Sequence, residues 1–233
     1  MNVKDINDCE PLFDEQEYSV EVMENTANNT FINLKLHAKD GDATSVFNNV
    51  IYEISSNDPF RIDRDTGEIF VYLDQGQSLD YESEQNQFIV FVYAKDGRGK
   101  QSNAEVTIKL LDQNDNPPQI ISNLEQNLLN NQTGIVLKLE ASDKDSGDNG
   151  KVKFLMEPSN EYIELKQNGD LTIVKSLEQV FQTFKFNLTL TDSGNPPMST
   201  TEELSLNILD VNDKAPQFTK PSGPIYILEV ISN

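Results

Sequence analysis

The sequence contains almost none of the residues on which covalent cross-links and common catalytic sites depend. Its 233 residues include one cysteine, one histidine and no tryptophan. Because Cys9 is alone, there is no internal disulfide and no cysteine-based zinc site. Catalysis through a histidine would have to use His37, which lies in a period-2 pattern and is predicted to face solvent beside Lys35. We therefore expect a protein that is not an enzyme and is stabilised by something other than disulfides.

Long apolar runs and positive charge are scarce as well. No segment approaches the roughly 20 apolar residues of a transmembrane helix, and residues 1–5 lack the apolar core of a signal peptide. We therefore expect an internal fragment of a longer protein. Thirty-nine acidic residues against 18 basic residues give a net charge of −21. This excess argues against nucleic acid and anionic membranes as direct partners, and no feature of the sequence indicates a small-molecule substrate.

Many of the acidic residues belong to a motif that recurs at intervals of about one small domain. The residues at 112–118 read Asp-Gln-Asn-Asp-Asn-Pro-Pro, and related versions occupy 5–8 and 210–213, each with a proline shortly after. The spacing is 107 residues from Asp5 to Asp112 and 98 residues from Asp112 to Asp210. A fixed period indicates a repeat protein, and this length accommodates about two domains.

Between these motifs the sequence alternates between apolar and polar residues, as β-strands do. The clearest segments are 18–25, 87–94 and 104–110 in the first half, and 134–141, 184–190 and 204–208 in the second. No long stretch has apolar residues at helical spacing. Short strands divided by Gly, Asn, Asp and Pro turns predict antiparallel β-sandwiches and an all-β fold. Residues 226–233 repeat the pattern of 18–25, which predicts the first strand of a third, truncated repeat.

The residue types in the acidic motifs favour calcium. Calcium takes six to eight oxygen ligands from carboxylates, amides and backbone carbonyls. The candidate ligands here are all oxygen atoms, without sulfur or imidazole, and their number suits calcium better than magnesium. The acids lie at the end of one predicted sandwich, in the linker and at the top of the next, so they converge if the linker lies between the two domains.

The order and spacing of these motifs resemble the extracellular repeats of the cadherin superfamily. The resemblance covers nearly the whole chain and rests on the linker motif at 112–118, Leu-Asp-Tyr-Glu at 79–82, Asp-Lys-Asp at 143–145, Ala-Lys-Asp-Gly at 94–97 and a hairpin at 60–69. It implies tandem seven-stranded Greek-key β-sandwiches, cadherin-like and Ig-like, joined by a calcium-binding linker. The implied segments are a linker remnant at 1–11, a repeat at 12–111, a linker at 112–118, a repeat at 119–209, a linker at 210–216 and the start of a truncated repeat at 217–233.

The resemblance also implies three calcium ions at the 112–118 junction. The first would be held by Glu24, Asp80, Glu82 and Asp115. The second would be held by Glu24, Glu82, Asp112, Asp115, Asp145 and the Gln113 carbonyl, and the third by Asn114, Asp143, Asp145, Asp192 and the carbonyls of Asn116 and Asn149. At about 5 Å and an effective dielectric near 20, each like-charged pair of these carboxylates costs about 3 kcal/mol. We therefore expect calcium to raise the melting temperature and to extend the particle.

The N-terminal copy of the motif is expected to form a partial remnant of a preceding junction. Its members are Asn7, Asp8, the Cys9 carbonyl, Asp40, Asp42 and Asp96. An insertion at 43–48 leaves the last carbonyl of that site unassigned. Asp63 and Asp65 form another Asp-x-Asp, but the following Thr66-Gly67 indicates a turn between strands rather than a metal site.

The second repeat departs from the pattern at its base. Alignment places Leu128 where the first repeat has Glu24, and Val180 where it has Glu82. Neither side chain ligates calcium, so we expect the junction after the second repeat to be calcium-poor and bent or flexible. The alternative is a shifted alignment in which Glu125 or Glu178 substitutes.

The predicted function is calcium-dependent cell–cell adhesion by the extracellular part of a membrane-anchored protein at the plasma membrane. Its partner would be another cadherin ectodomain, homophilic or heterophilic. Strand-exchanging cadherins anchor an N-terminal strand with tryptophan, so its absence indicates a spacer rather than the adhesive tip. The alternatives are a heterophilic signalling or polarity cadherin and a calcium-binding accessory module of a secreted or bacterial surface protein. Three sequons predict glycosylation at Asn28, Asn131 and Asn187.

Overall fold

The computed structural model describes residues 4–55, 59–217 and Gly223, and nearly all of their regular structure is β-strand. The strands of the first half are β1 Leu12–Phe13, β2 Glu17–Met23, β3 Phe31–Lys35, β4 Ala38–Lys39, β5 Ile51–Ile54, β6 Phe60–Ile62, β7 Glu68–Val71, β8 Gln87–Lys95 and β9 Gln101–Leu111. Those of the second half are β10 Gln119–Ile120, β11 Glu125–Leu129, β12 Gly134–Lys138, β13 Ala141–Ser142, β14 Lys153–Glu157, β15 Ile163–Leu165, β16 Asp170–Ile173, β17 Thr183–Thr191 and β18 Ser199–Leu209. The four-residue helix α1 spans Ser45–Asn48, and no helix of the described residues is long and apolar enough to cross a membrane.

The first half forms a sandwich of a four-stranded sheet and a three-stranded sheet. The four-stranded sheet has the order β2-β9-β8-β5, and the three-stranded sheet has the order β3-β7-β6. Strand β2 runs parallel to β9, whereas β8 is antiparallel to both β9 and β5. Side chains alternate along β8, so that Val90 and Val92 are fully buried in the core with Val106 and Ile108 of β9. This burial of one face of each sheet is what holds the two sheets together.

The second half repeats this arrangement strand by strand. Its sheets have the orders β11-β18-β17-β14 and β12-β16-β15, with the short pair β10-β13 corresponding to β1-β4. Strand β11 runs parallel to β18, as β2 does to β9. Leu188 and Leu190 of β17 and Leu204 and Leu206 of β18 are fully buried. The prediction of an all-β fold of tandem sandwiches is therefore confirmed.

Two segments that the sequence predicts as single strands are each divided into two strands. Residues 31–38 form β3 and β4, which pair with β7 and β1 respectively. Strand β3 is irregular, with Asn33 at φ 60° and a register shift between Phe31 and Lys35, and the chain leaves β7 after Lys35. Residues 134–141 divide in the same way into β12 and β13. In residues 31–38 the burial of side chains alternates across the break, because the chain changes its partner strand without turning its apolar side chains away from the core.

His37 and the Asp63–Asp65 turn lie where the sequence predicts. His37 is exposed, and its Nδ1 lies 3.1 Å from Asp14 Oδ2. The Asp63 carboxylate accepts hydrogen bonds from the N–H groups of Asp65 at 3.0 Å and Thr66 at 2.8 Å. Gly67 adopts φ 74°, and a Cβ there would lie 2.4 Å from the Leu36 carbonyl oxygen. Asp63 therefore shapes the β6–β7 hairpin. The predicted strand at 226–233 lies outside the described residues.

The chain is organised as two compact units. The first comprises Met1–Ile121, Glu140–Phe154 and Thr189–Thr201. The second comprises Ser122–Leu139, Leu155–Leu188 and Glu202–Asn233. The linker at 112–118 and the acidic loops after β13 and β17 all belong to the first unit, so the predicted ligands of the 112–118 junction lie within one unit.

Candidate metal centre

The parallel pairing of β2 with β9 places Glu24 directly against the linker. Its backbone N–H donates to the Leu111 carbonyl oxygen at 3.0 Å, which ends the strand pair. Its side chain accepts hydrogen bonds from the N–H groups of Gln113 at 2.7 Å and Tyr81 at 2.8 Å. Glu24 is only 1% exposed. The buried carboxylate therefore connects the linker with the loop that carries Asp80 and Glu82.

Other predicted ligands gather around Glu24, and we call the whole set the central cluster. Its members are Glu24, Asp80, Glu82, Asp112, Gln113, Asn114, Asp115, Asn116, Asp143, Asp145, Asn149 and Asp192. Glu24, Glu82 and Asp115 each place one oxygen within 4.8 Å of the others, and so do Glu82, Asp112 and Asp145. A cavity of about 210 Å³ is lined by Glu24, Asp80, Glu82 and Asp115. The two groups share Glu82, so they form one continuous acidic site.

Several oxygen atoms of the central cluster are buried without a hydrogen-bond donor. They are Glu82 Oε1, Asp112 Oδ1, Asn114 Oδ1 and Asp143 Oδ2. An acceptor that is removed from water without a partner costs about 1–3 kcal/mol, and more if it is charged. Folding therefore prepares oxygen atoms for a cation, and the residues present fit calcium in ligand type and number.

The electrostatics of the central cluster favour a cation as ligand. Burial, contact with the Asp112 carboxylate and the charge of Glu24 together raise the pKa of Glu82 to about 8. Burial, assisted by the charges of Asp145 and Asp192, raises the pKa of Asp143. Both carboxyl groups therefore resist ionisation until their negative charge is compensated.

The side chain of Asn114 is fixed through its amide nitrogen, and its carbonyl oxygen has no hydrogen-bond donor. Its Nδ2 donates to Asp192 Oδ2 at 3.1 Å and to the Pro196 carbonyl oxygen at 2.7 Å. A Cβ on Gly194 would lie 2.3 Å from Asn114 Cγ, so only glycine leaves room for this side chain. The unpartnered Asn114 Oδ1 is thus fixed by the two contacts of its own amide nitrogen.

Amide groups donate to the carboxylates on the other side of the central cluster. Asn116 Nδ2 donates to Asp115 at 2.6 Å and to Asp145 at 2.8 Å, and Asn25 Nδ2 donates to Asp115. The Asn149 side chain donates to Asp112 at 2.8 Å. The ligand roles predicted for the carbonyls of Gln113, Asn116 and Asn149 remain predictions.

Two residues that contact the central cluster were not predicted from the sequence. The first is Asn25, whose φ of 54° turns the chain directly after β2 and brings its amide to Asp115. An asparagine next to a strand-terminal glutamate was the available signal, because asparagine tolerates positive φ. The second is Ser146, whose backbone N–H donates to Asp112 at 3.1 Å. A backbone donor of this kind leaves no trace in the sequence.

The N-terminal cluster, consisting of Asn7, Asp8, Cys9, Asp40, Asp42 and Asp96, is also brought together. Asp40, Asp42 and Asp96 each place one oxygen within 4.8 Å of the others, and Asp8, Cys9 and Asp42 form a second group. Oxygen atoms of Asn7, Asp40, Asp42 and Asp96 are buried without a hydrogen-bond partner. The same four positions in the linker and loops of the following repeat are Asn114, Asp143, Asp145 and Asp192.

Hydrogen-bond donors lower the pKa of two acids of the N-terminal cluster, Asp42 and Asp96. Burial tends to raise the pKa of Asp96, but the N–H groups of Arg98, Gly99 and Lys100 outweigh it and lower the pKa. Burial likewise opposes ionisation of Asp42, and donation from the N–H groups of Asp8 and Cys9 prevails, so that its pKa is lowered.

The insertion at 43–48 contains α1, which is preceded by Thr44. Thr44 donates to Asp5 from its N–H at 2.9 Å and from its hydroxyl at 2.8 Å.

The end of the second repeat corrects the predicted alignment. Leu128 pairs with Ile208 and is buried, as Val22 is buried opposite Leu110. The residue in the position of Glu24 is therefore Asn130, two residues after Leu128. The alignment that placed Leu128 there was wrong, because a shift of two residues preserves the alternation of apolar and polar side chains. The alternative of a shift with Glu125 in that position is also wrong, since Glu125 pairs with Ser205 inside the sheet.

The predicted glycosylation sites differ in their surroundings. Asn28 is exposed, but its side chain donates to the Leu73 carbonyl at 3.1 Å and accepts from the Leu73 N–H at 3.0 Å. Asn131 is exposed in a turn, and Asn187 is exposed in β17. Glycosylation at all three sites remains a prediction. A glycan on Asn28 would disturb its two hydrogen bonds with Leu73, so the exposed Asn131 and Asn187 are the better candidates.

Comparison with known proteins gives a consistent relationship. A family model described as Cadherin domain matches residues 18–111 and 127–209. Human protocadherin gamma-B6 is 33% identical over 98% of the chain, and human protocadherin gamma-A5 is 35% identical over 98%. The chain spans about a quarter of the length of these relatives, 25% in each case.

Solved structures agree with the sequence relatives. Mouse cadherin-23 EC22-24 is similar to 89% of the chain, with a TM-score of 0.76 and 30% identity, and the match covers 67% of that structure. The extracellular domain of protocadherin gammaB4 is similar to 94% of the chain, with a TM-score of 0.75 and 32% identity, and the match covers 34% of that structure. With its two matched domains and its repeated acidic linkers, the chain belongs to the cadherin family.

Proposed function

We propose that this chain is a calcium-binding segment of a cadherin ectodomain that takes part in calcium-dependent adhesion between cells. The observation that carries the proposal is the set of buried oxygen atoms without donors in the central cluster. All four belong to residues that the resemblance to cadherin repeats implies as calcium ligands. A protein that folded for metal-free use would pair or expose such atoms.

The residues that would hold calcium are those of the central cluster, and the bound ion would supply the positive charge that these carboxylates lack. Glu24 positions the site, because its carboxylate joins the N–H groups of Gln113 and Tyr81. Glu82 links the two acidic groups, and Asp145 brings in the loop that follows β13. Asp192, in the loop that follows β17, joins the site by accepting a hydrogen bond from Asn114. We propose three ions at this junction and, at the N-terminal cluster, a partial site.

The role in adhesion is supported by the relatives. The cadherin family is not enzymatic, which confirms the expectation that the chain has no catalytic function. Similarity to protocadherins over 98% of the chain favours a cadherin over an accessory module of another secreted protein. We propose an extracellular location, a membrane-anchored parent protein and another cadherin ectodomain as partner. The segment would serve as a calcium-stiffened spacer within the longer ectodomain.

Calcium binding is tested by calorimetric titration and by thermal unfolding of the chain with calcium and with a chelator. We expect a stoichiometry near the predicted three calcium ions per chain and a higher melting temperature in calcium. We also expect the scattering profile to change on chelation. The variant Glu82→Gln removes a carboxylate from both acidic groups and should lose most of these effects. Glu84→Gln changes an exposed acid in the same loop and should retain them. Identical melting curves in calcium and chelator would overturn the proposal.

Adhesion is tested in cells that express the membrane-anchored parent protein. We expect these cells to aggregate in calcium, to disperse on chelation and to aggregate weakly when they carry Glu82→Gln. Cells that carry Glu84→Gln should aggregate like the wild type. Aggregation that persists at full strength in chelator would refute a calcium-dependent role.

A further inference from the structure

We propose that the end of the second repeat is closed by a metal-independent hydrogen-bonded clasp, in which the side-chain amide of Asn130 takes the place that a cation takes at the end of the first repeat. We call Glu24, Asp80, Glu82, Asp112 and Asp115 the first base. The corresponding residues, Asn130, Glu178, Val180, Asp210 and Asp213, form the second base. The second base lies within the second compact unit.

The backbone shows that Asn130 and Glu24 occupy the same position. The Glu24 N–H donates to the Leu111 carbonyl at 3.0 Å, and the Asn130 N–H donates to the Leu209 carbonyl at 2.9 Å. The Glu24 side chain accepts from the N–H two residues after Leu111, and Asn130 Oδ1 accepts from the N–H of Val211, two residues after Leu209, at 3.1 Å. Both side chains are buried at the end of a parallel strand pair.

The two side chains differ in what they offer to the next acid. Glu24 has only acceptor oxygens, so Asp112 Oδ1 is left buried without a donor beside it. Asn130 carries an amide nitrogen, and its Nδ2 donates to Asp210 Oδ1 at 2.8 Å. Asn130 thus binds the linker with both ends of its amide, accepting from Val211 and donating to Asp210. The neutral N–H group satisfies the Asp210 carboxylate without a positive ion.

The other positions of the second base also offer fewer carboxylate ligands to a metal ion. The first base has a carboxylate at each of its positions, whereas the second base retains carboxylates only at Glu178, Asp210 and Asp213. Val180 stands three residues after the buried Leu177, as Glu82 stands three residues after the buried Leu79, and it is 8% exposed. The three carboxylates that the second base retains belong to exposed residues, so they remain accessible to water.

The residues of the second base therefore do not fit the metal that the family implies. Calcium requires six to eight oxygen ligands, and here one carboxylate is replaced by a buried hydrocarbon and another by an amide whose groups are already engaged. This inference goes beyond the proposed function, because it concerns the end of the second repeat, where the proposed function places no ion.

The direct test is hydrogen exchange of backbone amides measured by NMR, in calcium and in a chelator. The Val211 amide reports on the clasp, and the Gln113 amide, which donates to Glu24, reports on the central cluster. We expect calcium to leave the protection of Val211 unchanged and to raise that of Gln113. Asn130→Ala should lower the protection of Val211 about two- to tenfold, equally with and without calcium. Calcium-dependent protection of Val211 in the wild type would overturn the proposal, whereas failure of Gln113 to respond would count only against the proposed function.

A gain-of-function variant tests the same idea from the other side. Asn130→Glu combined with Val180→Glu restores the two carboxylates of the first base, and calcium should then increase the protection of Val211. The matched control is Asn130→Glu combined with Phe181→Glu, which adds the same charges but places the second at an exposed side chain. This control should not respond to calcium. If the restored variant folds and remains insensitive to calcium, these two residues are not what excludes the metal and the proposal fails. If it does not fold, the exchange of Val211 in the wild type decides.

Discussion

The first base and the second base lie at the ends of equivalent strand pairs, yet the linker carboxylates have different neighbours in the two. In the first base, Glu24 meets Glu82 and Asp115 with one oxygen of each within 4.8 Å of the others. In the second base, Asn130 meets Asp210 through an ordinary hydrogen bond of 2.8 Å. The comparison teaches that the linker acids do not by themselves make a metal site. On the proposal made above, what the preceding repeat presents to the linker, an acceptor or a donor, determines whether positive charge is needed.

The largest expected effect is that of Glu24→Gln in the presence of calcium. Saturation at about a thousandfold excess over the dissociation constant stabilises a protein by about 4 kcal/mol per site, and this variant should lose stabilisation of that order. In chelator, we expect a smaller loss, because the variant removes one of several repelling carboxylates but keeps only one of the two acceptor oxygens that bind the N–H groups of Gln113 and Tyr81. Chemical unfolding under both conditions measures this. A variant that is equally destabilised with and without calcium would show that Glu24 acts only through its hydrogen bonds.

Two buried leucines provide a matched pair with the next largest effect. Leu79 and Leu177 precede the corresponding loops of the two bases and are 2% and 0% exposed. Replacement of either by alanine should cost about 2–5 kcal/mol through lost burial and the remaining cavity. Leu79→Ala should in addition weaken calcium binding, since the Leu79 carbonyl accepts from the Asn25 N–H at 3.0 Å beside Asp80 and Glu82. Calorimetry on both variants separates the effects, and an equal loss of calcium affinity in Leu177→Ala would break the comparison.

The pH dependence of the calcium-free protein should reflect the first base. The pKa of Glu82 is raised from 4.5 to about 8 by burial and by its contact with Asp112. Between these values the folded state binds more protons than the unfolded state, so stability should fall as the pH rises from about 4.5 to about 8. Calcium affinity should rise over the same range, because binding displaces the proton. Glu82→Gln should flatten this part of the profile in chelator, and an unchanged profile would assign the dependence to other groups.

The smallest expected effect is that of Asn130→Ala. It removes the donor to Asp210 and the acceptor for Val211, and we expect a loss of about 1 kcal/mol in the free energy of unfolding. The loss should be the same in calcium and in chelator, in contrast to Glu24→Gln. Denaturant unfolding of the two variants side by side makes the comparison, and a calcium-dependent loss for Asn130→Ala would contradict the account of the second base.

The strands and the acidic residues could be predicted from the sequence, because alternation and clustered carboxylates are properties of the chain itself. The alignment at Asn130 could not, since a slip of two residues keeps every apolar side chain on the same face. The register of β11 with β18, which ends at Leu129 and Leu209, is needed to identify it. The break after Lys35 was hidden for a similar reason, because burial continues to alternate while the strand changes its partner. The amide contacts of Asn25 and Asn116 depend on side-chain orientation that only the folded loops define.

The central claim is that the first base binds calcium and the second base does not. A crystal structure of the chain grown in calcium, with the ions identified by anomalous scattering, tests it most directly. The account predicts ions ligated by Glu24, Glu82 and Asp112 in the first unit, together with an Asn130–Asp210 hydrogen bond and no ion bound by Asp210 or Asp213. An ion bound by Asp210 and Asn130, or a central cluster without calcium under the same conditions, would contradict it.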